Sequence, residues 1–204
     1  MKNLLIIFYR NPELGKVKTR LAKTLGDEKA LAIYLTLSSH TRFITENLDI
    51  DRVIYYSNFV DTEDAWPNKT FYKELQNGND LGEKMKNAFA DGFTKGYERV
   101  CIIGTDCFEL SESAIKQAFD QLRTNDAVIG SAKDGGYYLL GMKKQMPELF
   151  KNKAWSTDTV STDTIQNFKD LGVSFAQLQV LTDVDEEKDL PAQLLTPIKK
   201  YWSS

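Results

Sequence analysis

One histidine, His40, and two cysteines, Cys101 and Cys107, are all that 204 residues hold of the side chains that most often ligate zinc or pair as nucleophile and base. No zinc-spaced cluster can be drawn from them, no Ser/His/Asp or Cys/His set stands out as a local motif, and two cysteines make no disulfide framework. Cys101 falls inside an apolar run and reads as core. Cys107, beside Asp106, reads as a small packing residue sooner than as a site thiol. His40 flanks the apolar face of a helical pattern and reads as boundary packing. An excess of one charge is also missing: 26 basic against 29 acidic residues give −3, which argues against a broad nucleic-acid-binding surface while leaving room for a local phosphate site. Long apolar runs are absent too. Leu4–Tyr9 is far too short for a signal-peptide core or a membrane span, so no membrane partner is expected and cytoplasm is the expected compartment. Repeats, low-complexity tracts and linkers are lacking, and 42% apolar residues suffice for one buried core; a single domain over 1–204 is the expectation.

What is present is an alternation. Leu4–Tyr9 reads as a strand buried on both faces, the kind that parallel sheets use. Gly26 stops a short helical turn, Asp27 can cap the next helix, and Ala30, Leu31, Tyr34, Leu37, Thr41, Ile44 and Leu48 recur on one helical face. Arg52–Ser57 and, more weakly, Thr70–Leu75 read as strands. Asp80 and Glu83 resemble a capping box ahead of Leu81, Met85, Ala88, Phe89 and Phe93, and Gly96 closes that helix. Arg99–Gly104 is a further strand, Ser111 caps a helix, Ala127–Gly130 and Tyr137–Gly141 are short strands, and Thr159–Leu171 is helical. Val173–Leu181 is extended, and a last helix begins near Glu186. Such an order predicts a three-layer α/β/α sandwich with a mostly parallel sheet.

Five segments carry chemistry, each with a plainer alternative. Val100–Ile103 ends in Gly104-Thr105-Asp106, and a carboxylate at a strand's carboxyl end can hold Mg²⁺ or can simply cap the following turn. Arg10–Arg20 joins the first strand to a helix; its Gly15, Lys18 and Arg20 suit a phosphate, although no Walker loop is present, and a solvated basic turn is the alternative. Gln76–Glu83 could line a base or ribose, yet reads on physics alone as an ordinary turn. Lys133–Tyr138 places Asp134 beside paired glycines, where it could accept a proton or orient a sugar hydroxyl, or could merely form an Asp-Gly hairpin turn. Asp183-Val184-Asp185 sets two carboxylates on one face if extended, spaced to share a cation. Asp185 could equally be an N-cap with Glu186 and Glu187 in the first turn. Trp155 could wall a ligand or sit in the core.

Taken in order, Phe8 to Leu21, Gly78 to Met85, Gly104 to Cys107, Asp134 to Gly141, and Asp183 with Asp185 resemble a bacterial glycosyltransferase family linked to arsenosugar biosynthesis and related to the molybdenum-cofactor guanylyltransferases. Its pattern runs Phe-x-x-x-Pro-x-x-Gly-x-x-Lys-Thr-Arg-Leu, Gly-x-x-Leu-Gly-x-x-Met, Gly-x-Asp-Cys-Pro, Asp-Gly-Gly-Tyr-x-Leu-x-Gly and a final Asp-x-Asp. Phe108 replaces the proline after the cysteine, and Ser131 stands where proline is frequent; both alter loop stiffness and remove no charge. The resemblance implies a nucleotide-diphosphosugar transferase (GT-A-like) fold and a metal-dependent transfer from a nucleotide-sugar donor to a small-molecule acceptor. It implies that Gly15, Lys18, Thr19 and Arg20 bind the donor diphosphate and that Gly78, Leu81 and Gly82 face the nucleoside. Asp106 with Asp183 or Asp185 would hold Mg²⁺ or Mn²⁺, while Gly135, Gly136 and Tyr137 would shape the sugar and acceptor site. Lys18 would stabilise the departing diphosphate and Asp134 would serve as base. A nucleotidyltransferase of the same fold, releasing pyrophosphate, and a non-catalytic nucleotide-binding protein are the alternatives.

Overall fold

The computed structural model describes residues 2–151 and 153–194. Seven strands among the described residues form one sheet: β1 (Asn3–Tyr9), β2 (Asp51–Tyr56), β3 (Tyr72–Leu75), β4 (Arg99–Ile103), β5 (Ala127–Ser131), β6 (Tyr137–Met142) and β7 (Phe175–Gln177). Their spatial order is β3-β2-β1-β4-β6-β5-β7, with β6 antiparallel to both neighbours and every other pair parallel. The helices are α1 (Thr19–Leu25), α2 (Asp27–Thr45), α3 (Leu81–Thr94), α4 (Glu112–Gln121) and α5 (Val160–Asp170). The mostly parallel α/β architecture read from the sequence is the one observed.

The layers follow from the two-residue period of strand side chains. In β1, Leu5, Ile7 and Tyr9 point to one face, where they pack with Tyr34 and Ile44 of α2 and with Ile115, Ala118 and Phe119 of α4. Leu4 and Ile6 point to the other, against Met85, Ala88 and Phe89 of α3 and Phe168 of α5. Central strands are thus apolar on both sides because helices cover both sides. A smaller cluster of Leu21, Ile33, Leu37, Val184 and Leu194 ties α1 and α2 to the segment after β7. Both cysteines are buried, and burial pushes both thiols up, so they act as packing residues.

Several boundaries differ from expectation. Asp27 is the first residue of α2 and not its cap: Gly26, at φ 86°, ends α1 and precedes α2 directly. Asp80 caps α3 by accepting from the Glu83 amide at 2.8 Å, but Glu83 reaches back to the Asn79 amide, one residue short of a true box. Leu81 is 43% exposed, and Gly82 takes its place on the buried face. The expected helix from Glu186 begins as a 3-10 turn, Glu187–Asp189, capped by Glu186 and not by Asp185; its continuation past 194 lies outside the described residues. A 3-10 turn at Pro147–Phe150 carried no periodic signal.

Candidate active site

β1 and β4 are neighbours, with Ile7 opposite Ile103, so the loop after β1 and Gly104-Thr105-Asp106 leave the same sheet edge side by side. The loop is fastened from below. The Tyr34 hydroxyl donates to the Arg10 carbonyl at 2.6 Å and accepts from the Arg10 amide at 3.0 Å, and Thr105 Oγ1 approaches it at 3.5 Å. Buried Asn11 holds the chain after β2, donating to the Phe59 carbonyl and accepting from the Asn58 amide, both at 3.0 Å. Neither residue was singled out from the sequence. Tyr34 filled a periodic core position, and its only further signal was a hydroxyl that a buried tyrosine must satisfy.

The C-terminal segment completes the site. The Val184 amide donates to the Asp106 carbonyl at 2.9 Å, while its side chain is buried in the cluster with Leu21 and Leu37. Asp183 and Asp185, on either side of it, therefore turn toward Asp106, as the Asp-x-Asp spacing predicts for an extended segment. Lys18 meets them. Its Nζ lies 2.8 Å from Asp106 Oδ1 and 3.1 Å from Asp185 Oδ1, and its side chain is only 4% exposed. Burial alone would push this ammonium down; the Asp106 and Asp185 carboxylates outweigh it and hold Lys18 above its ordinary value. Arg20 reaches Asp185 Oδ2 at 3.7 Å from a largely exposed position, a weak contact.

Asp183 is the electrostatic anomaly. Its Oδ1 is enclosed and has no hydrogen-bond partner among the described residues. Burial, then the nearby Asp106 and Asp134 carboxylates, push its carboxyl up to about 7, and Lys18 offsets only part of this. A divalent cation would relieve that arrangement. Among the described residues no group of three or more His, Cys, Asp or Glu side chains is arranged to hold an ion, and Lys18 already fills the gap between Asp106 and Asp185. Mg²⁺, however, is usually bound through one or two carboxylates plus substrate phosphates. An orphaned oxygen on Asp183 beside Asp106 fits that chemistry.

The remaining expected site residues fall into three groups. Gly15 and Thr19 are exposed on the loop and first turn that carry Lys18 and Arg20. Asp134 is exposed at the tip of the β5–β6 hairpin, where its Oδ1 accepts from the Gly136 amide at 2.9 Å, and it is close enough to Asp183 to raise that carboxyl. The hairpin alternative for Lys133–Tyr138 is thus realised, although the turn is longer than a two-residue one. A third set sits at α3. The Trp155 indole covers Gly82, where a Cβ would come within 2.5 Å of the ring nitrogen. Gly78 backs onto the first turn of α3, and the Tyr137 hydroxyl turns toward Met85 Sδ at 3.5 Å. Gly82 and Tyr137 therefore pack internally, and Leu81 is the exposed member of the set. Gly135, at φ 90°, is required where it stands, because a Cβ would meet the Asp158 carbonyl oxygen at 1.9 Å. His40 packs at a boundary as expected, its ring 4.6 Å from Phe108 and hydrogen-bonded to the Leu110 carbonyl.

The family model for an "Uncharacterized protein conserved in bacteria (DUF2064)" matches residues 42–157, more than half of the chain. No curated protein matches. Among solved structures, one from Desulfovibrio desulfuricans G20, described as a "putative nucleotide-diphospho-sugar transferase", is 29% identical with a TM-score of 0.86, covering 98% of this chain and 99% of its own. A cytidylyltransferase from Leptospira borgpetersenii serovar Hardjo-bovis is 15% identical with a TM-score of 0.59, covering 100% and 96%. The inositol-1-phosphate CTP transferase from T. maritima is 16% identical with a TM-score of 0.52, covering 98% and 97%. The latter two share the fold alone. No helix among the described residues is long and apolar enough to cross a membrane.

Proposed function

We propose a function for a chain that belongs to the DUF2064 family: metal-dependent transfer of a sugar from a nucleotide-diphosphosugar donor to a small-molecule acceptor. The observation that carries this reading is the meeting of Asp106, Asp183 and Asp185 with Lys18 and Arg20 at one sheet edge. Acidic and basic groups in one open site suit a ligand that brings both a cation and a diphosphate. Similarity along nearly the whole chain to the Desulfovibrio desulfuricans protein supports the donor class. The relation to molybdenum-cofactor guanylyltransferases rests on motif order alone.

Asp106 and Asp183, with Asp185 beside them, would hold Mg²⁺ or Mn²⁺, which when bound supplies Lewis-acid stabilisation of the departing diphosphate. Arg20 and Thr19, exposed at the start of α1, and Gly15 in the loop before it bind the diphosphate oxygens, with Lys18 as the second positive charge. Leu81 offers an exposed apolar surface to the nucleoside. Asp134 keeps one carboxylate oxygen free of the Gly136 amide and takes the proton of the acceptor hydroxyl at that oxygen as the new glycosidic bond forms.

The cytidylyltransferase and CTP-transferase folds favour a second reading, transfer of a nucleoside monophosphate. Products separate the two. Release of a nucleoside diphosphate from a sugar donor supports the first, and release of pyrophosphate from a nucleoside triphosphate supports the second. Asp106→Asn is expected to abolish Mn²⁺-dependent donor binding without unfolding the chain, since a neutral amide oxygen is a poorer ligand for a hard cation. Unchanged Mn²⁺-dependent stabilisation by donor in that variant would reduce Asp106 to a turn residue.

A further inference from the structure

Lys18 stands between Asp106 and Asp185, two of the three carboxylates that would hold a divalent ion. Its Nζ is within 3.1 Å of both carboxylates, and its enclosed side chain leaves the ammonium little access to solvent. The backbone is committed as well: φ 48° and ψ 45° put a non-glycine residue in the left-handed region, a conformation that persists only where the surroundings enforce it. The Oδ1 atoms that hold the ammonium cannot hold an ion at the same time. Taking both partners from a buried charge is among the costlier changes a fold can undergo.

We infer that Lys18 makes divalent-cation binding conditional on the diphosphate: ion and ammonium compete for Asp106 and Asp185, and the phosphate oxygens receive the ammonium when the ion displaces it. The inference rests on the metal-dependent transferase reading and adds to it an order of affinities. An ion alone strands Lys18. A diphosphate alone meets a site in which Asp183 and Asp134 are in no ion pair with a cation among the described residues. Arriving together, each removes the other's penalty, and the coupling is reciprocal by linkage. Arg20, exposed and only weakly held by Asp185, is available to phosphate throughout.

Titration of the full chain with Mn²⁺ alone, followed by loss of the free ion's spin-resonance signal, tests this. Lys18→Met removes the ammonium at similar length. Lys18→Gln also removes it but keeps a donor for the carboxylates, which guards against a variant that fails to fold. Both should bind Mn²⁺ at least about fivefold more tightly than the unaltered chain, fivefold being the low end of typical coupling between linked sites. Arg20→Met, which removes an equally charged but exposed neighbour, should change the affinity less. Pyrophosphate, corrected for its own complex with Mn²⁺, should tighten Mn²⁺ binding to the unaltered chain by a similar factor and lose most of that effect in the Lys18 variants. Equal or weaker Mn²⁺ binding by those variants overturns the inference and leaves the metal-dependent reading standing. No Mn²⁺ binding by any of these chains, with or without pyrophosphate, overturns both.

Discussion

A carboxyl group whose native pKa lies near 7 destabilises the fold that holds it, and Asp183 does so in a way that pH can expose. In the unfolded chain it titrates near 3.8; in the native site burial and the Asp106 and Asp134 carboxylates move it to about 7. Between those values the native state binds more protons than the unfolded one, so stability falls as pH rises. The penalty is absent below 3.8 and complete once pH passes 7. Asp183→Asn removes the penalty. Its advantage in stability, read as a melting difference, should open above pH 4, grow toward 7 and then level off, on the order of a few kcal/mol at about 1.4 kcal/mol per unit. Mn²⁺-dependent donor binding should weaken in the same variant, the usual opposition of stability and function at a site. A melting difference that stays flat from pH 4 to 8 would mean that Asp183 is not held near 7. The two aspartates at 183 and 185 were legible as a pair, because an apolar residue between two acidic ones in extended chain faces them away from the core. Their third partner was not, since Lys18 lies 167 residues from Asp185 and only the fold brings them together.

At the scale of elements, the loop after β1 is as ordered as its fastening to α2 allows. Tyr34→Phe deletes the hydroxyl that satisfies both backbone groups of Arg10 and leaves them without their partner, a loss of about 1–3 kcal/mol. Amide exchange should quicken over residues 10–18 while β1 keeps its protection, and diphosphate binding should weaken. Unchanged exchange in the loop would reduce Tyr34 to a packing residue. Strands were the easiest elements to read. β1, β2 and β4 are apolar runs with covered faces on both sides, so burial follows the sequence closely, with buried Arg99 and half-buried Phe8 as the exceptions. The helix starts were harder, because they turn on single hydrogen bonds: Gly26 ends one helix and begins the next, and Glu83 chose the Asn79 amide over that of Asp80. At the β5–β6 hairpin, Asp-Gly-Gly serves a turn and a close approach at once. Gly135→Ala should therefore destabilise the chain through the clash with Asp158, well beyond the fraction of a kcal/mol of an unstrained glycine replacement, as a urea titration would register.

Across the whole molecule, the sheet order β3-β2-β1-β4-β6-β5-β7 keeps the first and last strands apart, and it is the segment after β7 that returns to set Asp185 beside Lys18 and Val184 beside Asp106. The parallel α/β class was visible in the alternation of elements; the antiparallel β6 was legible only through the hairpin alternative at Lys133–Tyr138, because a short apolar run carries no sign of its own direction. A ligand that bridges the loop after β1, the end of β4 and the segment at 183–185 should stabilise the molecule as one unit. Mn²⁺ with a nucleoside diphosphate at a hundredfold excess over its dissociation constant should add about 2.7 kcal/mol, raising a single melting transition without splitting it. A split transition would show that the segment closes over the site independently of the sheet. That segment also sets a schedule for synthesis. Lys18 is made early, Asp106 later, and Asp183 and Asp185 last of the four. At typical ribosomal rates roughly ten seconds or more separate Lys18 from its second carboxylate. A nascent chain thus carries Lys18, Arg20 and Asp106 without Asp183 and Asp185, and on the proposed function it cannot engage a sugar nucleotide productively until translation has delivered residue 185.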